Sequence, residues 1–201
     1  MSDVGGAGTL ILKDMEMFNE AAMLMEKIEV DIFRYLDETI AAWVNEHGWE
    51  GEYNSLEGST SVAPPSWRIP DLEDCFAWFE FENANQDGTD SYDVANLCGC
   101  GDTELGFRFR VEHRIFGGKT PWNNCMKDLP ESADGLARLE FRDEGKGVWF
   151  LPVHIDKDQL ALAYENEDYA EAFTPLLNAL GKLKEAVPVL DEVLNKARGR
   201  I

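Results

Sequence analysis

A stripe of apolar residues recurring every three or four positions constrains this chain more than any other feature. Phe18, Ala22, Met25, Ile28, Ile32, Leu36, Ile40 and Trp43 fall along one side of a 3.6-residue helix, with Asp, Glu and Lys between them. The pattern predicts one helix over residues 14–47, closed by Gly48, which lacks the Cβ that strains the left-handed residue after a helix. At 1.5 Å per residue that helix would be about 45–50 Å long, enough to project from a domain or to pair with a second copy. Three glycines in the first eight positions make residues 1–12 read as a flexible or weakly extended lead.

A different period follows. Residues 48–70 are rich in Gly, Ser and Pro and read as a connecting loop, although it carries Trp49, Tyr53 and Trp67. Alternation then predicts a strand at 75–82, with Cys75, Ala77, Phe79 and Phe81 on one face and Phe76, Trp78, Glu80 and Glu82 on the other. A second strand at 105–113 sets Leu105, Phe107, Phe109 and Val111 against Arg108, Arg110 and Glu112. The polar, glycine-bearing stretch 83–104 between them reads as a long loop. Two more strands are expected at 136–142 and 147–155, joined by a hairpin turn over 143–147. Asp156, with Gln159 three residues on, signals the start of a short helix. A last helix over about 168–196 carries the stripe from Phe173 to Leu194, and Pro188 should kink or divide it.

Strands grouped together and flanked by helices specify an α+β fold rather than alternating α/β. The expectation is a single domain over 1–201. It comprises a long N-terminal helix (14–47), a loop (48–70), a mainly antiparallel sheet of four or five strands within 71–155, and C-terminal helices (156–198).

Charge narrows the function classes. The net charge is −21, and its distribution is lopsided. Residues 1–104 hold 23 acidic and 4 basic side chains, whereas residues 105–201 hold 16 and 14. Between Tyr35 and Phe107 stand 16 carboxylates and a single Lys or Arg, Arg68. A surface adapted to high salt would be acidic throughout, so the asymmetry argues against that origin. Direct binding to nucleic acid or to an anionic membrane would be repelled. The longest apolar runs fall far short of the roughly 20 residues of a spanning helix. The first residues lack the basic and apolar regions of a secretory signal, and four cysteines, two of them in Cys98-Gly99-Cys100, do not form a disulfide framework. A reducing cytoplasm is the expected location.

Catalytic patterns do not survive inspection. Glu80 and Glu82 share a strand as in nucleases of the PD-(D/E)XK type, but such a site needs a Lys two residues after the Glu. Glu82 stands there, and no Lys or Arg occurs from 69 to 107. The two are expected instead to face Arg108 and Arg110 as half-exposed ion pairs. Cys98 and Cys100 supply one tight pair where structural zinc uses two, with Cys75, Cys125 and His113 distant in sequence. Asp87, Asp90 and Asp93 lack the ligand alternation of a calcium loop. No metal and no cofactor is implied, and a metal- or cysteine-centred enzyme using Cys98, Cys100 and His113 is the alternative reading.

What remains is the acidic run itself. The helix offers Asp37, Glu38 and Glu46, and the segments after it offer Glu50, Glu52, Glu57, Asp71, Glu73, Asp74, Asp87, Asp90 and Asp93. Trp49, Tyr53 and Trp67 lie among them, residue types that anchor interfaces. The expected function is a non-catalytic inhibitor or regulator that presents a nucleic-acid-like negative surface to a basic, nucleic-acid-binding protein. Phage anti-defence proteins of the anti-CRISPR or anti-restriction kind are the analogy of composition. A further alternative is an assembly component, a homodimer paired through the 14–47 helix.

Overall fold

The computed structural model describes residues 4–56, 58–70, 74–85, 88–127 and 130–199 of the chain. It is an α+β fold. Helix α1 (Val4–Lys13) leads into α2 (Met15–His47), which ends at Gly48 with φ 65°. Strands β1 (Glu50–Glu52), β2 (Thr60–Ala63) and β3 (Ala77–Asn83) follow, then a short helix α3 (Asp93–Leu97) and β4 (Leu105–Val111). Helices α4 (Lys119–Met126) and α5 (Pro130–Arg138) precede β5 (Arg142–Gly145) and β6 (Val148–Val153), and α6 (Lys157–Asn166) and α7 (Thr174–Arg198) complete the order. The six strands form one antiparallel sheet in the order β1-β2-β3-β4-β6-β5.

Period 2 sorts the strands into two faces. Val62, Phe79, Phe109, Leu151 and their neighbours point into one core with the buried side of α2, from Ile32 to Val44, and with Leu176, Leu183 and Leu190 of α7. Aromatic rings knit this layer: Trp67 sits 5.3 Å from Phe79 and 5.6 Å from Phe109. The opposite face carries Ser61, Trp78, Glu80, Glu82, Arg108 and Arg110, aligned by the register Ser61↔Glu80↔Arg108.

Several segments depart from the sequence expectation. The glycine-bearing lead is helical from Val4, because propagating an existing helix fixes few residues per hydrogen bond gained. Asp14 is a break between α1 and α2, with φ −121° and ψ 42°, although its N–H still donates to the Leu10 carbonyl and its own carbonyl accepts from Phe18. Within 48–70 the chain forms a β-hairpin pairing Glu50 with Ala63, which raises the sheet to six strands. Leu136 lies on helix α5, not on a strand, and the strand begins only at Arg142. Leu136 and Leu139 are three apart and turn toward the core together, and Glu140 at φ 69° ends that helix. Pro188 lies on the exposed side of α7 and does not divide it. The expected cap at Asp156 is present, its carboxylate accepting from the N–H groups of Asp158 and Gln159.

Leu36 is fully buried where α2 meets the core. Changing Leu36 to Ala should cost about 2–5 kcal/mol of stability, measured by urea denaturation.

Candidate acidic interface

Of the aromatic residues expected to anchor a partner, Trp67 belongs to the core, and Trp49 and Tyr53 are partly buried against it. Trp67 is fully buried, and its indole N–H donates to Asp191 of α7 at 2.7 Å. Trp49 is half-buried against Trp43, rings 5.1 Å apart and nearly perpendicular. Tyr53 lies across β1, where a Cβ on Gly51 would come within 2.4 Å of the phenol oxygen. Burial, reinforced by Glu50, raises the pKa of that phenol. Residue type announced apolar contact for all three, but not that the contact is internal.

The carboxylates divide by role. Asp37 is a structural clasp: it accepts from the Ser55 N–H at 3.0 Å, from the Ser55 hydroxyl and from the Thr60 hydroxyl at 2.7 Å, tying α2 to the hairpin. Asp93 accepts from the side-chain amides of Asn83 and Asn96, and its N–H donates to Glu29 of α2. Asp90 is exposed near it, with its N–H on Asp102. Glu38 and Glu46 are exposed on α2 and flank a shallow depression that also touches Leu177 of α7. Glu57, Asp71, Glu73 and Asp87 lie outside the described residues.

Four carboxylates do converge. Glu50, Glu52, Asp74 and Glu80 line an open groove of about 350 Å³, together with Trp78, Cys75, Ser59 and Ser61. The register explains it: Glu52 pairs with Ser61, and Ser61 with Glu80, so all three side chains share the polar face of the sheet. Strand β1 is an edge, so the groove is bordered by backbone available for pairing. Among the described residues the expected acidic run is therefore distributed over separate surfaces, with one concentrated groove at the β1 edge. Glu80, set aside in the sequence as an ion-pair partner, belongs to it.

Beside the groove the positive charges are already engaged. Arg108, only 1% exposed, is held by Glu82 and by Glu144, and donates to the carbonyls of Asn83 and Ala84 at 3.2 and 2.8 Å. Its guanidinium stacks 4.9 Å from the centre of the Phe150 ring. Arg110 donates to both oxygens of Glu82 at 2.7 Å and reaches Glu80 at 3.3 Å. The anticipated pairing of Glu80 and Glu82 with these arginines is present, but Arg108 is buried rather than half-exposed, and Glu144 joins it. Arg68 bridges Glu50 at 3.1 Å on the exposed rim.

The cysteine alternative does not assemble. Cys98 sits beside the start of β4, since the Leu97 carbonyl accepts from Ile155 just past the Leu105↔Val153 pair. His113 follows the other end of β4, about 20 Å away at 3.3 Å per strand residue. The imidazole next to this turn is His154, which occupies the space a Cβ on Gly99 would need. Among the described residues no group of three His, Cys, Asp or Glu is placed to hold a metal ion, and no helix is long and apolar enough to cross a membrane. Comparisons with protein-family models, with curated proteins and with solved structures find no match to this chain.

Removing the Arg108 side chain would empty a buried site, leave Glu144 without its cation and take the donor from the Asn83 and Ala84 carbonyls, while Glu82 keeps Arg110. Arg108→Ala should lose about 3–5 kcal/mol in urea denaturation. Burial, then Cys100 and Asp156, push the Cys98 thiol up to about 11. The folded state thus keeps a proton that the unfolded chain releases near pH 9. Stability linked to that proton is complete below pH 9 and is lost as pH rises toward 11. Denaturation midpoints measured from pH 8 to 11 should fall, and less steeply in Cys98→Ala.

Proposed function

We propose that this chain is a non-catalytic binding protein that receives a basic segment of a protein partner in the groove beside β1. The convergence of Glu50, Glu52, Asp74 and Glu80 around Trp78 carries this reading. A Lys or Arg entering there meets carboxylates from three directions, with an indole face available for its alkyl stem or guanidinium. Because β1 is an edge strand, an extended segment can add its backbone to the sheet while its basic side chains occupy the groove. The charge of residues 1–104, net −19, steers such a partner from a distance and repels competing acidic proteins.

A partner whose own site normally holds nucleic acid fits best, because such sites are basic and already matched to closely spaced negative charge. The sharper form of the proposal is accordingly an inhibitor or regulator that occupies the nucleic-acid site of a nuclease, repressor or defence complex. The wide dispersion of the other carboxylates supports long-range attraction, and the groove supplies the short-range contact.

The test is retention of proteins from a host lysate at about 0.1 M salt, comparing the native chain with a triple variant carrying Glu50→Gln, Glu52→Gln and Asp74→Asn. All three side chains are exposed, so the variant should match native stability within about 0.5 kcal/mol. The native chain should retain a basic nucleic-acid-binding protein that moderate salt or added DNA releases, and the variant should retain at least tenfold less. Undiminished retention by the variant, or retention that persists at about 0.5 M salt where charges are screened within several ångströms, would refute the reading.

A further inference from the structure

We infer that the N-terminal arm formed by α1 and the first half of α2 pairs with the same arm of a second copy of this chain. This surface is separate from the acidic groove. Every side chain from Thr9 to Leu24 is exposed, and eight of these sixteen residues are large and apolar, from 38% exposed at Phe18 to 69% at Leu12. Such a concentration differs from the singly scattered apolar residues that a monomer ordinarily leaves in water. An isolated helix of this length, with glycines at positions 5, 6 and 8, is marginal without packing. The arm therefore calls for a cover.

Three features identify the cover as a second copy. The first is spacing. Within α2, Met15, Phe18, Ala22 and Met25 step by three, four and three, the 3.5-residue seam along which like helices pair. On such a seam a large Phe18 and a small Ala22 are complementary between two identical antiparallel helices. The second is continuity. At 100° per residue this seam runs in line with Ile32, Leu36, Ile40 and Trp43, which the chain buries in its own core. One amphipathic face thus begins uncovered and ends covered, changing occupant near Met25 and Ile28, which are partly buried. There Glu29 accepts from the N–H groups of Asp93 and Val94 and locks the helix to the body. The pairing surface is consequently not the whole 14–47 helix anticipated from sequence, since its second half is occupied. The third feature is charge. Residues 4–24 contain only Lys13, Asp14, Glu16 and Glu20, a net of −2. Within an acidic half, this is the stretch that two copies can bring together with least repulsion, and it offers little to the basic partner of the groove.

The experiment is sedimentation equilibrium of the full chain from about 1 to 100 μM, with Met15→Glu/Phe18→Glu as the disrupting variant and Glu20→Lys, which lies off the seam, as the control. The native chain and the control should be dimers in this range. The double variant should dimerise at least 100-fold more weakly while its thermal unfolding and near-ultraviolet circular dichroism stay native, because neither side chain touches the core. A native chain that remains monomeric at 100 μM, or a dimer that the double variant does not weaken, overturns the inference. Monomeric protein that cosediments with phosphatidylcholine vesicles, and loses that binding in the double variant, also overturns it by assigning the arm to a lipid surface.

Discussion

A guanidinium buried in the middle of the sheet sets conditions that much of the surrounding chain meets. Arg108 faces away from the aromatic core, yet it is almost completely out of water. A buried cation is tolerated only when its donors are matched by charge and by hydrogen-bond acceptors. Three segments supply them: the end of β3 through Glu82, the chain just after it through the Asn83 and Ala84 carbonyls, and the β5–β6 hairpin through Glu144. The hairpin pairing shifts register between Asp143 and Gly145, so Glu144 is the irregular residue that the bulge presents to Arg108. Gly106 completes the arrangement, since a Cβ there would come within 2.8 Å of the Phe150 ring, on which Arg108 stacks.

The same network decides where the unbalanced charge lies. Arg108 and Arg110 are engaged by Glu80, Glu82 and Glu144, which leaves the β1 side of the polar face to Glu50, Glu52 and Asp74 with Arg68 on the rim. Acidity at the groove is thus not a simple consequence of composition. It follows from a sheet whose strand arginines, Arg108 and Arg110 on β4 and Arg142 on β5, lie three or more strands from β1 and are paired with carboxylates there.

The sequence disclosed the elements whose period runs long enough to be unambiguous. The second half of α2, strands β3 and β4, and α7 all declare themselves through repeated apolar spacing. The hairpin at 50–63 did not, because strands of three and four residues, one wholly exposed, contain no repeat to read. Leu136 was misread because two leucines three apart sit beside Arg and Glu that mimic alternation. The candidate site was legible only in part, for another reason. Trp67 meets Asp191, 124 positions away, and Asp37 meets Thr60. No local pattern separates a tryptophan that anchors a partner from one that anchors a distant helix of its own chain. The groove was legible only as an excess of carboxylates, since its assembly depends on the pairing of three strands, two of which, β1 and β2, were not anticipated.

Helix α2 links the two surfaces and keeps them apart. Its N-terminal half bears the apolar arm, and its C-terminal end turns through Gly48 directly into β1 and the acidic groove. Thirty-three helical residues place these ends about 50 Å from each other, several times the screening length of about 8 Å at physiological salt. In an antiparallel pair of arms the two grooves would lie at opposite extremes of the assembly. Repulsion between them therefore does not oppose association through the arm. The geometry that concentrates negative charge at one end of the helix is what leaves the other end free to be apolar.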